Sequence, residues 1–172
     1  EIKIACGTLH FGEEPPITVL GGSGTIFVTG CNLRCAFCQN YQISQKGMGK
    51  NLSTDEFADL CLKLENEGAE NVNIVTGSHH IPAIAEGLQK AKLKGLKIPV
   101  CWNSSAYETI EALKLLKGYV DVYLMDFKYI DGGVCAAQGF KASGLYCGIK
   151  ENPTRKNDIA LIVSDVMCNT SG

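Results

Sequence analysis

Thr25-Ile-Phe-Val-Thr29-Gly30-Cys31-Asn-Leu-Arg-Cys35-Ala-Phe-Cys38 is the stretch on which the reading of this chain turns. Its first half is a short β-branched and aromatic run between Gly24 and Gly30, the composition of a buried strand. Its second half places three cysteines on one loop directly after that strand, with gaps of three and two residues.

Outward from this loop the chain alternates. Ser53 precedes Glu56 by three residues, a capping-box signature, and Phe57, Leu60, Cys61 and Leu64 recur at helical spacing until Gly68. Val72-Asn-Ile-Val-Thr76 reads as a second strand, and Ile84, Leu88 and Ala91 mark a second helix ending at Gly95. Residues 98–102 form a third strand, 108–117 a third helix and 120–125 a fourth strand. Strands and helices alternating in this way up to about Tyr129 predict an α/β fold, a parallel sheet with right-handed crossovers. Reactive groups in such sheets and barrels collect at the carboxyl ends of the strands.

Beyond Tyr129 the pattern stops. Gly132, Gly133, Gly139, Gly144 and Gly148 crowd a stretch without helical period, and Ile159-Ala-Leu-Ile-Val163 alone reads as a strand. A boundary is therefore placed near Ile130, dividing a core at 1–130 from a short β-rich tail at 131–172.

The 172 residues are 45% hydrophobic, enough for one substantial core. A formal charge of −2 without any basic run argues against nucleic acid or an anionic membrane as partner. No apolar stretch approaches the roughly 20 residues of a membrane span, and the opening EIKIACGTLH lacks a signal-peptide pattern, so a cytoplasmic location is expected. Starting on Glu1 rather than Met, the chain is expected to be a piece of something longer. Nine cysteines fit metal or redox chemistry better than a disulfide framework. Cys6, Cys61, Cys101, Cys135, Cys147 and Cys168 are scattered and are expected to be buried small hydrophobes.

Iron-sulfur clusters are held by thiolates, usually four, so a loop with Cys31, Cys35 and Cys38 suits a 4Fe-4S cluster with one iron left open. A zinc loop is the alternative, although zinc usually takes a further ligand pair. The string resembles the motif of the radical S-adenosylmethionine (SAM) superfamily, with Phe37 at its aromatic position. Gly22-Ser-Gly-Thr-Ile-Phe27 and Cys38-Gln-Asn-Tyr-Gln-Ile-Ser44 extend the resemblance to proteins related to pyruvate formate-lyase activating enzyme, over about residues 9–129. That resemblance implies a partial (β/α) barrel, truncated relative to a family core of six strand-helix units. It also implies a 4Fe-4S cluster, S-adenosyl-L-methionine as cofactor, and its reductive cleavage to a 5'-deoxyadenosyl radical. A glycyl-radical enzyme and a flavodoxin- or ferredoxin-like electron donor are the implied protein partners.

The resemblance assigns further positions one at a time. Thr76, Gly77 and Ser78 stand where such enzymes hold the amino group of the cofactor's methionine, although the family's glutamate is absent; His79 and His80 read equally as exposed loop histidines. Asn103, Ser104 and Ser105 stand where ribose or carboxylate is contacted, or else cap the next helix. Asp126 and Lys128 resemble the activating enzymes' Asp-Leu-Lys near the cofactor, or form an internal ion pair. Gly12-Glu-Glu-Pro-Pro16 resembles the family's leader.

From Gly132 to Val166 the tail resembles instead the opening of ornithine acetyltransferases of arginine biosynthesis, which expose a nucleophilic threonine by cutting themselves. The chain has no such segment, so a catalytic acetyltransferase is not expected. The alternative to a working radical enzyme is a catalytically dead fusion fragment that binds a cluster or zinc only. The tail is expected to dock weakly or not at all on the sheet, because its glycines make ordering costly.

Overall fold

The computed structural model describes residues 1–13, 17–35, 38–106 and 108–126, together with the backbone of a strand at 160–164. In chain order the elements are β1 (Ile2–His10), β2 (Ser23–Val28), α1 (Tyr41–Lys46), β3 (Lys50–Leu52), α2 (Thr54–Asn66) and β4 (Val72–Val75). A 3-10 turn (Ser78–His80), α3 (Ile81–Leu93), β5 (Val100–Ser104), α4 (Ile110–Leu116), β6 (Val122–Asp126) and β7 (Ala160–Ser164) complete them.

The capping box forms as the sequence predicts. Ser53 Oγ accepts from the Glu56 N–H at 3.2 Å, and the Glu56 carboxylate accepts from the Ser53 N–H at 2.7 Å, which starts α2. The third and fourth strands begin two residues later than their apolar runs suggest. The Asp121 carboxylate bonds the Val100 N–H at 2.9 Å and the Asp121 N–H bonds the Val100 carbonyl, so that turn fixes both starts.

The sheet runs β3-β1-β2-β4-β5-β6-β7. From β2 to β7 all neighbours are parallel, while β1 pairs antiparallel with both β2 and β3. The parallel order never reverses, and crossovers of one hand then place every connecting helix on the same face. The contacts agree, since α2 packs on α3 and α3 on α4. This is the winding of a barrel rather than of a doubly wound sheet, and the expected partial (β/α) barrel is the fold found.

Two rows of cross-strand partners show the two faces. Ile26, Ile74, Trp102 and Tyr123 are successive partners and enter the hydrophobic core with Phe57, Leu64, Ile84 and Leu88 of the helices. One residue earlier, Thr25, Asn73, Cys101 and Val122 form the row on the opposite face. Near the strands' amino ends, the segment before β2 is fastened to the sheet. Asn73 Nδ2 donates to Glu13, Asn71 Nδ2 to the Ile17 carbonyl, and Glu70 accepts from the N–H groups of Val19, Leu20 and Gly21.

Two expectations need correction. Cys6 is exposed, because it lies on β1 outside the core. The glycine-rich tail, expected to dock weakly or not at all, places Ala160–Ser164 parallel to β6, with Val122 opposite Ala160 and Asp126 opposite Ser164. A parallel edge of unpaired N–H and C=O groups takes a β-branched run readily, and this outweighs the flanking glycines. Cys135, Cys147 and Cys168, the boundary near Ile130 and the rest of the tail lie outside the described residues.

Phe57, fully buried, and Leu93, mostly exposed, give a contrast in stability. Phe57→Ala is expected to lower the unfolding free energy by about 3–5 kcal/mol in urea titration, and Leu93→Ala by no more than about 0.5 kcal/mol. The Gly21, Leu20 and Val19 N–H groups hold the Glu70 carboxyl below its ordinary value. Its contribution is therefore complete above the ordinary carboxylate range and is lost as pH falls through the lower folded value. Glu70→Gln should flatten that acid limb in thermal melts taken from pH 6 downward.

Candidate active site at the carboxyl edge of the sheet

Thr29 follows β2 and turns the chain into the cysteine loop through Gly30, whose φ of +94° only glycine adopts without strain. A Cβ there would also meet His79 Nε2 at 2.9 Å. The loop is held from its carboxyl side. Ile43 accepts from the Gly30 N–H, Gln45 Nε2 donates to the Leu33 carbonyl at 3.1 Å, and Ser44 Oγ lies 3.3 Å from Cys38 Sγ. All three partners come from α1, a six-residue helix without a buried residue and without a periodic signal in the sequence.

Cys31, Cys35 and Cys38 are cysteines of intermediate burial, in no disulfide. The Leu33 N–H points at Cys31 Sγ at 3.4 Å, and the Cys38 N–H bonds the Cys35 carbonyl at 3.2 Å. Burial pushes the Cys31 thiol up, the Leu33 N–H lowers it, and the nearby Cys38 raises it again. A thiol whose ionisation is opposed by burial and by a neighbouring cysteine on the same loop belongs to a donor set that a bound cation relieves. In chemistry the set fits an iron-sulfur cluster. Among the described residues, however, no group of three His, Cys, Asp or Glu side chains converges at metal-holding distance, so binding requires the loop to draw its thiols together.

Cys31, Asn32, Leu33, Thr76, Ser78, His79 and Ser105 line one cleft. Three of the residues picked from the sequence, Thr76, Ser78 and Ser105, thus meet the first cysteine. The cleft measures ≈ 20 Å³, about the room of one ordered water.

The other picks fall elsewhere. Gly77 is a packing glycine, since a Cβ there would meet Trp102 Cη2 at 2.6 Å. Ser104 is buried on the helix side, its hydroxyl bonded to Glu108 at 3.1 Å. Asn103 is partner to Val75 and Leu124 on the opposite face. None of 103–105 caps the next helix; Thr109 does, accepting from the Ala112 N–H. Asp126 ends β6 beside Ser164. Phe37, Lys128 and most of the Glu-Glu-Pro leader lie outside the described residues.

His79 is not an exposed loop histidine. Its Nε2 lies 2.7 Å from the Thr29 carbonyl and its buried Nδ1 has no partner, which ties the turn after β4 to the base of the cysteine loop. Among the described residues, Thr76 and Ala106 are the non-glycine residues of positive φ, at +61° and +55°, and both follow strand ends beside the cleft. Such strain concentrates at functional sites. Sequence reasoning misses Glu108, buried and accepting from three side chains across this region. In the sequence it reads only as the start of a helix.

A barrel-wound parallel sheet with a three-cysteine loop at its carboxyl edge defines a class of iron-sulfur enzyme scaffold. Residues 25–134 match the Radical SAM superfamily, and the chain belongs to it. The superfamily implies a 4Fe-4S cluster and S-adenosylmethionine. The chain is 38% identical over 162 residues to Uncharacterized protein MJ0674 of Methanocaldococcus jannaschii, a match covering 90% of this chain and 46% of that protein. It is also 55% identical over 42 residues to Arginine biosynthesis bifunctional protein ArgJ of Gloeobacter violaceus, and 50% over 46 residues to the chloroplastic ArgJ of Citrullus lanatus. These cover 24% and 27% of this chain and 10% of each ArgJ. The chain thus spans less than half the length of the curated relatives it matches. No helix among the described residues is long and apolar enough to cross a membrane.

Burial pushes Cys61 and Cys101 up to about 12. Iodoacetamide near pH 8, with chelator present and sites read by mass spectrometry, should therefore label Cys31, Cys35 and Cys38 while sparing Cys61 and Cys101 until the protein is unfolded.

Proposed function

We propose that this chain is the cluster-bearing part of a radical enzyme that reductively cleaves S-adenosylmethionine. The observation that carries the reading is the cleft in which Cys31 meets Thr76, Ser78 and Ser105 at the carboxyl edge of the sheet. Cys31, Cys35 and Cys38 would hold a 4Fe-4S cluster. When bound and reduced, that cluster supplies the electron that breaks the cofactor's sulfonium bond and yields a 5'-deoxyadenosyl radical.

The chain's own residues bind and orient. The backbone at Thr76–Ser78 and the Ser105 side chain face the cofactor's polar groups, with Asn103 and Asp126 on neighbouring strand ends. Phe37 and Lys128 take their roles from the family motif. Trp102, packed against Gly77, excludes water from beneath the site.

The finer reading, activation of a glycyl-radical enzyme with a flavodoxin- or ferredoxin-like donor in the cytoplasm, is supported by the flanks of the cysteine motif, Gly22 to Phe27 and Gln39 to Ser44. The division into a core at 1–130 and an acetyltransferase-like tail at 131–172 belongs to the same proposal. The two resemblances together exceed the chain, so at least about a seventh of it resembles both MJ0674 and ArgJ. A second reading, a chain that binds a cluster or zinc without turnover, is favoured by the narrow cleft.

Anaerobic reconstitution with iron and sulfide separates the two. The working enzyme should show broad visible charge-transfer absorption and form 5'-deoxyadenosine from S-adenosylmethionine under dithionite. Cys35→Ala should retain less iron by at least about tenfold, given that even the outer-shell partners of metal ligands are worth 10–100-fold. Iron binding without the nucleoside product would favour the second reading; unchanged iron in Cys35→Ala would remove the cluster assignment.

A further inference from the structure

We infer that Glu108 is a positioning residue that sets the shape of the cofactor cleft without lining it, an inference that rests on the cofactor reading above. Ser78 Oγ donates to Glu108 Oε1 at 2.5 Å, Trp102 Nε1 donates to the same oxygen at 3.1 Å, and Ser104 Oγ donates to Oε2 at 3.1 Å. The residue is 8% exposed, so this carboxylate is a buried junction rather than a surface group. Hydrogen bonds to a buried carboxylate are the stronger kind, and leaving its donors unpaired is costly.

The three donors come from two different strand ends. Ser78 opens the 3-10 turn after β4, whereas Trp102 and Ser104 belong to β5. Glu108 therefore joins the two segments that face Cys31 across the cleft. The effect runs further, because the turn holding Ser78 also carries His79, which is bonded to the Thr29 carbonyl two residues before Cys31.

Strain supports the assignment. Thr76 and Ala106, both at positive φ, stand within two residues of Ser78 and of Glu108 respectively. The Ala106 N–H is satisfied by Ser104 Oγ at 3.2 Å, the hydroxyl that bonds Glu108. Unusual backbone of this kind persists only where its surroundings over-determine it, and the Glu108 junction supplies that determination. Because the Ser78 and Ser104 hydroxyls are committed to Glu108, recognition of the cofactor on this side is left to the backbone of 76–78 and to Ser105.

The test uses the full chain reconstituted anaerobically with iron and sulfide. Three readouts are taken: iron content, thermal midpoint, and the change in the reduced cluster's electron paramagnetic resonance spectrum on titration with S-adenosylmethionine. Glu108→Ala should keep its iron but bind the cofactor about tenfold or more weakly, the effect of losing one charge-assisted junction. Glu108→Gln, which retains one carbonyl acceptor, should fall between. Ser78→Ala cuts only the link to the turn, and if Glu108→Ala fails to fold it carries the test with the same expected weakening. Wild-type titration by Glu108→Ala with its cluster loaded, or by Ser78→Ala where the first does not fold, overturns the assignment. So does a fall in iron and thermal midpoint without selective loss of cofactor affinity in Ser78→Ala. A wild-type chain that takes up iron but shows no spectral response to S-adenosylmethionine would instead overturn the function proposed above.

Discussion

Parallel pairing of β2, β4, β5 and β6 in one unreversed order is the constraint on which the rest of the structure depends. Parallel neighbours cannot be joined by a tight turn, so each pair needs a crossover, and the helices of those crossovers bury one face of the sheet. The same geometry brings the carboxyl ends of β2, β4, β5 and β6 to a common edge. Residues far apart in sequence, Cys31, Thr76 and Ser105, meet there because each comes directly after its own strand. The cleft is thus a product of topology before it is a product of side-chain chemistry.

What was legible in the sequence shares this origin. Ser53 and Glu56 start α2 as read, and the apolar runs at 25–29 and 72–76 become β2 and β4 almost residue for residue, because period and capping are local signals. The elements that escape a sequence reading have weak local signals. Lys50–Leu52 is three residues long, and α1 buries nothing, so neither shows a period. β1 does alternate at Ile2 and Ile4, but its place beside β2 depends on pairing across the chain. At the site, residue type and spacing identify the cysteines and the strand-end positions. They could not show that Ser104 turns inward to Glu108 or that Gly77 exists for Trp102, since both depend on which face of β5 meets which helix.

The strand at 160–164 shows how an edge can override composition. Glycine-rich sequence argues for a loosely held tail, and the entropy argument is sound for the glycines themselves. The run Ala-Leu-Ile-Val-Ser contains none of them. Beside β6 it extends the parallel ladder from Val122 to Asp126, so the strand end bearing Asp126 is flanked on both sides. Beside β6, that strand covers an edge that would otherwise present unpaired backbone groups.

The cysteines show how one residue type is divided between two uses by position alone. Cys61 lies on the buried face of α2 and Cys101 on β5, and burial drives both thiols up to about 12, so they stay protonated and inert at neutral pH. Cys31, Cys35 and Cys38 are only partly buried, on a loop where the Leu33 N–H points at the Cys31 sulfur. Burial and the nearby Cys38 oppose ionisation of Cys31, a penalty that a bound cation relieves. A partly exposed thiol beside other cysteines is poised for metal; a thiol buried within the fold, like Cys61 or Cys101, is not. In this chain the boundary between those environments is Gly30, where β2 leaves the core and a positive φ turns the backbone out of the sheet.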